Sequence, residues 1–214
     1  INDTLPKNIL EKYRLLDLKK SLEQIHNPLN SNILSQARYR LAIEEILSLQ
    51  TQSFLSKKDW LTKRPKIVLK NNLKINQKIK RLINNLPFKL TDSQQKVWQE
   101  VKSDITNTDK VANRLIQGDV GSGKTIIALL SCYLTHLNKS LSLFIAPTEI
   151  LAQQHFQTFT KILYKHKVPI FLLTGSNKIN LNKIPPNSII IATHAAIYQK
   201  DYLKDKVALL IIDE

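Results

Sequence analysis

Cysteine is nearly absent. Cys132 is the only one, which excludes an internal disulfide framework and any metal site built from several thiolates. Glycine is almost as scarce: there are four in 214 residues and none before Gly118, so the first half of the chain carries little signal for tight hairpins. No apolar run approaches the ~20 residues that a membrane-spanning helix needs. The chain opens Ile1-Asn2-Asp3, with neither an initiating Met nor a basic-then-apolar leader pattern. The expectation is a soluble, cytoplasmic protein that makes no use of a membrane. Acids are also few, 17 against 32 Lys and Arg, giving a net charge of +15 and a pI near 9.8. A field of that sign attracts polyanions, of which nucleic acid is the commonest. Lys, Asn and Ile are used heavily throughout, so part of the charge is compositional. The local excess is sharper, with ten basic residues between Lys57 and Arg81 against one acid, Asp59.

Hydrophobic residues make up 43% of the chain, enough for a globular core, and the length permits one full domain with a smaller appendage. Residues 1 to about 60 read as helical. Asp17 is placed to cap a helix over Leu18–Ile25, which His26-Asn27-Pro28 stops. Ser31 or Asn32 then caps a longer helix whose apolar positions Leu34, Ala37, Leu41, Ile46 or Leu47, and Phe54 recur at helical spacing. After Pro65 a second amphipathic helix is expected, with Leu69, Leu73, Ile79, Ile83 and Leu86 on its apolar stripe, ending at Leu86-Pro87. Lys66, Lys70, Lys74, Lys78 and Arg81 lie on an adjacent stripe, whose ordinary reading is a solvated face and whose sharper one is a surface that tracks phosphates.

From Phe88 onward the texture changes to short β-rich runs alternating with helical patterns. Strands are expected at Arg114–Gln117, Leu141–Ala146, Ile170–Leu173, Ser188–Ala192 and Val207–Ile212. The last three are almost continuously apolar, as in strands covered on both faces of a parallel sheet. The fold class is therefore α/β, with a parallel-sheet domain over residues 86–214 preceded by an α-helical region over residues 1–85.

Three of the four glycines fall in one octet, Gly118-Asp119-Val120-Gly121-Ser122-Gly123-Lys124-Thr125, which fits the P-loop pattern completely. Gly121 and Gly123 can take conformations closed to other residues, so that successive N–H groups point inward around a phosphate. A helix from about Thr125 to Thr135 would bring its positive N-terminal end to the same place. Lys124 is expected to reach the β- and γ-phosphates of ATP, and the Thr125 hydroxyl to ligate Mg²⁺. A second acidic motif lies 89 residues on (213 − 124), where the apolar run Val207–Ile212 ends in Asp213-Glu214. Asp213 suits a Mg²⁺ contact, and Glu214 suits general-base activation of the hydrolytic water. Cys132, His136, Trp60 and Trp98 are expected to serve packing.

The wording around these motifs resembles the RecG family of bacterial superfamily-two DNA helicases. Leu86-Pro87-Phe88-Lys89-Leu90-Thr91 with Gln94 is similar to that family's adenine-recognition segment, which implies Gln94 on the adenine edge and Phe88 beside it. Arg114-Leu115-Ile116-Gln117 leads into the P-loop as it does in that family. Ala146-Pro147-Thr148-Glu149-Ile150-Leu151-Ala152-Gln153-Gln154-His155, Leu173-Thr174-Gly175-Ser176 and Ala192-Thr193-His194-Ala195 resemble its DNA-contacting motifs, implying backbone contacts from Pro147, Thr148, Gly175, Thr193 and His194. Ser35 to Glu45 resembles its helical connector. The resemblance implies a first RecA-like motor domain, with the connector before it, from an enzyme that uses ATP and Mg²⁺ to act as a monomer on branched DNA and stalled replication forks in recombination and repair.

Three departures stand out. The stretch Asn177–Pro186 is short, Ala192 stands where glycine is common, and the chain ends at Glu214 while the family continues into a second motor domain. The expectation for the 214 residues is weak ATP–Mg²⁺ binding without unwinding. A transcription-repair coupling translocase and an inert DNA-binding remnant of a split helicase are the alternatives. A P-loop kinase is a third class, for which no substrate lid is visible.

Overall fold

A computed structural model describes residues 2–194 and 203–213. The chain divides into two compact units, Ile1–Thr62 and Lys63–Glu214. The first is helical, with α1 (Lys7–Lys12), α2 (Leu18–His26) and α3 (Ser31–Thr62). The Asp17 side chain caps α2 by accepting the Lys20 N–H at 2.8 Å. The cap of α3 lies one residue earlier than expected, at Asn30, whose side chain accepts the Ile33 N–H at 2.9 Å. The pairing of α2 with the first half of α3 buries Ser21 and Ala37. Arg40 is wholly buried there, paired with Asp3 and Glu44, and Thr4 donates its hydroxyl to Glu44. The expected apolar stripe of α3 is covered only in that half. Ile46, Leu47, Phe54 and Leu61 are exposed farther along. Trp60 is 40% exposed and so lies outside the core.

The second unit begins earlier than residue 86, because residues 69–82 supply part of its core. Leu69, Ile75, Ile79 and Leu82 are buried in the same apolar cluster as Trp98, Leu130 and Phe144. The expected helix after Pro65 starts only at Leu73. Asn72 accepts the Ile75 N–H at 3.0 Å and sets the start of α4 (Leu73–Asn84). The backbone at Lys70 is instead held by the Asn138 amide, at 2.6 and 3.1 Å. Lys66 and Lys70 are therefore off the helical stripe, Lys66 pairs with Asp205 at 2.7 Å, and Leu73 is 81% exposed.

Four parallel strands, β1 (Leu141–Ile145), β2 (Ile170–Leu173), β3 (Ile189–Ala192) and β4 (Val207–Ile212), form a sheet in the order β2-β3-β1-β4. β3 alternates between two apolar layers. Ile189 and Ile191 belong to the apolar cluster that includes residues of α4, α5 (Asp92–Ile105), α6 (Lys124–Leu137) and α7 (Glu149–Leu163), while Ile190 and Ala192 belong to a second one with Leu143, Ile145, Leu181 and Leu203. Burial on both faces, expected for the last three strands, holds for β3; β2 is an edge strand with Ile170, Phe171 and Leu172 only half-buried, and β4 departs further. As an edge strand it leaves Leu210 and Ile212 exposed, at 53% and 62%. The run Arg114–Gln117 is not a strand. It lies across a cleft from Leu209–Asp213 without pairing to them, and Leu115 is 90% exposed. Arg114 is drawn the other way, onto Glu100 and Asp104 of α5. Trp98 and Cys132 are core residues, and burial pushes the Cys132 thiol up to about 12.

Candidate nucleotide site

The octet at 118–125 forms a turn and then a helix. Ser122 donates its N–H to the Asp119 carbonyl at 3.1 Å, and Val120 stands fully exposed at the tip. Gly121 and Gly123 both have positive φ, +79° and +84°. Gly123 is the N-cap of α6 and provides no side-chain cap, so the first turn of that helix presents its N–H groups and its dipole to the loop. Gly123 also meets a steric limit, since a Cβ there would run into the Gln94 amide nitrogen.

Gln94 has two jobs in this geometry. Its oxygen accepts the Thr91 N–H at 3.0 Å, closing a capping box at the start of α5, and its nitrogen donates to the Ser122 carbonyl at 2.9 Å. The segment expected to read adenine is thus bonded directly to the phosphate loop. Phe88 sits apart from that contact, half-exposed along a groove between α4 and α5 with Trp98 and Lys102.

Lys124 folds over its own loop, donating to the carbonyls of Gly118 at 2.7 Å and Asp119 at 3.1 Å. Gly118, Lys124 and Thr125 line one wall of a cleft of about 410 Å³, and Leu209–Asp213 line the other. The structure therefore brings Lys124, Thr125 and Asp213 together, while Glu214 lies outside the described residues. A hydroxyl and a carboxylate lining one cleft beside a helix N-terminus are oxygen donors of the kind a small hard cation takes. No cluster of three His, Cys, Asp or Glu side chains is present among the described residues.

The parallel sheet delivers the other motifs to the same edge. Thr148 follows β1 and caps α7 by accepting the Leu151 N–H at 3.2 Å. Pro147 beside it is half-buried, and Thr148 is exposed. Gly175 follows β2 and is exposed. Thr193 follows β3, is 8% exposed and donates its N–H to the Leu173 carbonyl at 3.2 Å, with His194 exposed beside it. Ala195 lies outside the described residues.

Two contacts here have no local sequence signal. The Glu149 carboxylate accepts the Ser176 hydroxyl at 2.7 Å and the Ser176 N–H at 3.2 Å. The Ser176 hydroxyl, with the Ser176 and Gly175 N–H groups, holds that carboxyl below its usual range. His155 meets Asp213 at 2.8 Å between Nε2 and Oδ2.

The family described as DEAD/DEAH box helicase matches residues 91–214, the stretch that holds the cleft. The chain belongs to that helicase family. Among curated relatives it is similar to the ATP-dependent DNA helicase RecG of Synechocystis, at 34% identity over 100% of this chain and 26% of the relative. RecG of Thermotoga maritima is 36% identical over 100% of this chain and 28% of its own, and RecG of Borreliella burgdorferi 35% over 98% and 30%. A solved structure of RecG bound to a three-way DNA junction superposes with a TM-score of 0.69 at 30% identity, covering 99% of this chain and 32% of that one. The chain thus spans between a quarter and a third of the length of these helicases. No described helix is long and apolar enough to cross a membrane.

Proposed function

We propose that these residues form the ATP-binding part of a RecG-type DNA motor, which in the complete protein translocates on branched DNA and remodels stalled replication forks in recombination and repair. The observation that carries this reading is the shared cleft, with Gly118, Lys124 and Thr125 on one wall and the end of β4 on the other. Similarity to RecG along the full chain favours this motor over a translocase that couples transcription to repair. A cytoplasmic monomer meeting DNA is the setting in which this activity fits.

In this reading the backbone N–H groups of residues 119–125 cup the phosphates of ATP. Lys124 exchanges its two carbonyl partners for the β- and γ-phosphate oxygens, and Gln94 holds the loop while meeting the adenine edge, with Phe88 nearby. Thr125 and Asp213 would hold Mg²⁺, which when bound neutralises charge on the phosphates. Glu214 would act as general base toward the hydrolytic water. Pro147, Thr148, Gly175, Thr193 and His194 meet the DNA backbone, which positions the duplex without reading its sequence.

The test is a thermal melt with ATP and Mg²⁺. A ligand at 100 times its Kd stabilises by about 2.7 kcal/mol, which for a domain of this size raises Tm by roughly 5–11 °C. Lys124→Ala should keep the unliganded Tm and lose that rise. An equal rise in variant and parent rules the reading out.

A further inference from the structure

The contact between His155 and Asp213 joins two motifs that lie 58 residues apart. Asp213 follows β4, and its own N–H is bonded to the Ile145 carbonyl of β1 at 2.9 Å. His155 lies on α7, the helix that begins directly after β1. Seven residues separate Thr148 from His155, so about two turns, or roughly 10 Å, lie between the helix start and the imidazole. The ring is not a loose surface group. It is 12% exposed and tilted against Phe144 at 4.8 Å, with Phe159 edge-on at 6.5 Å. Phe144 in turn sits in register with Ile211, two residues before the acid. Apolar packing thus fixes the plane of the ring, and one ring nitrogen is aimed at one carboxylate oxygen, Oδ2.

The start of the same helix is fixed as well. Thr148 caps it, and Glu149 takes both the hydroxyl and the N–H of Ser176. The approach at Gly175 is close, since a Cβ there would come to 2.9 Å from Glu149 Oε1 and the carboxylate would have to shift. One helix therefore grips the loop after β2 at its first residue and the end of β4 two turns later.

We propose that His155 is a positioning residue that sets the rotamer of Asp213 and ties it, through α7, to the loops at 147–149 and 174–176. This rests on the reading of Asp213 as the acid on the Mg²⁺ side of the cleft and of those loops as the DNA-facing edge. With Nε2 donating to Oδ2, the other oxygen of the carboxylate is left to face the cleft. A shift of α7 when DNA engages its N-terminal end moves the imidazole, and the carboxylate moves with it. Support to a ligating group of this kind is worth 10–100-fold in metal affinity when removed.

The experiment is a titration of the 214-residue chain with a fluorescent ATP analogue, with Mg²⁺ and with EDTA. It is run on the parent, His155→Ala, His155→Gln and Asp213→Asn. His155→Ala should leave the affinity in EDTA unchanged and cut the Mg²⁺-dependent gain about 10–100-fold. The Gln variant, whose amide can still donate to Asp213, should recover most of it. Equal Mg²⁺ gains in parent and His155→Ala overturn the proposal, and so does a Gln variant no better than Ala. If the Ala variant does not fold, the comparison of Gln with parent decides, and a 10-fold deficit there overturns the proposal. If Asp213→Asn keeps the full Mg²⁺ gain of the parent, the reading of Asp213 itself has failed. A loss in Asp213→Asn without any in His155→Ala refutes the positioning role alone.

Discussion

Replacing Gly123 by Ala and Gly121 by Ala should have unequal costs, and the difference measures how closely Gln94 approaches the loop. Both residues sit at positive φ, +84° and +79°, so each substitution carries the left-handed penalty of about 1–2 kcal/mol. Around Gly121 no atom lies within 4 Å of the added carbon, so the penalty ends there. At Gly123 the new methyl meets the Gln94 amide nitrogen, which must leave its 2.9 Å bond to the Ser122 carbonyl and disturb the capping box with Thr91. Losing that bond costs about 0.5–1.5 kcal/mol, and a weakened cap about as much again. Gly121→Ala should therefore lower Tm by roughly 3–6 °C and Gly123→Ala by about 6–15 °C at this chain size. Adding Gln94→Ala removes the obstacle. The double variant Gly123→Ala/Gln94→Ala should be less destabilised than the sum of its singles, by about 1 kcal/mol or more in a double-mutant cycle. Urea denaturation of the parent and the four variants supplies the numbers. Additive costs, or a Gly121→Ala as damaging as Gly123→Ala, would refute the argument from close approach.

Two further expectations concern residues that do not line the cleft. Arg40→Ala leaves Asp3 and Glu44 without their buried partner and should destabilise the N-terminal unit by about 3–5 kcal/mol. The pH dependence follows from the same carboxylates. Burial raises Asp3, but the Leu5 and Leu18 N–H groups and Arg40 outweigh it, and the Thr4 hydroxyl and Arg40 depress Glu44. Their contribution is therefore present above the ordinary carboxylate range and lost as pH falls through the depressed values, a loss the Arg40→Ala chain should show only in part in acid melts, because the Leu5, Leu18 and Thr4 bonds do not depend on Arg40. The basic face of α4 is tested by changing Lys74, Lys78 and Arg81 to Gln. If it tracks phosphates, the slope of log affinity for DNA against log salt falls by about one unit for each phosphate no longer neutralised, and an unchanged slope assigns these residues to solvent.

The features legible in the sequence were those whose cause is local. Asp17 capped α2 because a side-chain oxygen next to a free helix N–H needs no tertiary partner. The positive φ at Gly121 and Gly123 follows from glycine placement in a chain that otherwise avoids glycine. What escaped was set by neighbours distant in sequence. Arg114–Gln117 has strand composition, yet Arg114 bonds to α5 and no strand pairs with the run. Leu73 fits the apolar spacing of α4, but the helix starts there and the buried stripe runs through Ile75, Ile79 and Leu82. Val207–Ile212 reads like the buried β3, and only the strand order shows that it is an edge. The contacts of Glu149 with Ser176 and of His155 with Asp213 span 27 and 58 residues, so no periodicity could announce them.

The strand order also explains why one helix can reach both ends of the site. All four strands run parallel, so every loop that follows a strand emerges at the same edge of the sheet, where ligands gather in folds of this kind. Along that edge the order β2-β3-β1-β4 places residues 174–176 first, 193–194 next, 147–149 third and Asp213 last. Antiparallel strands would have sent alternate loops to opposite edges and separated these groups by the length of a strand. β1 lies between β3 and β4, and the helix that leaves it is within reach of neighbours on both sides. Glu149 uses that position to cross the end of β3 and bind Ser176, while His155 turns back to the end of β4. A helix leaving β2 at the far edge would have no acid within reach, and one leaving β3 would have β1 between it and Asp213. The coupling assigned to α7 is therefore a consequence of the central place of β1 in the sheet, and a change that moves the start of α7 is expected to be felt at Asp213 before it is felt at the P-loop.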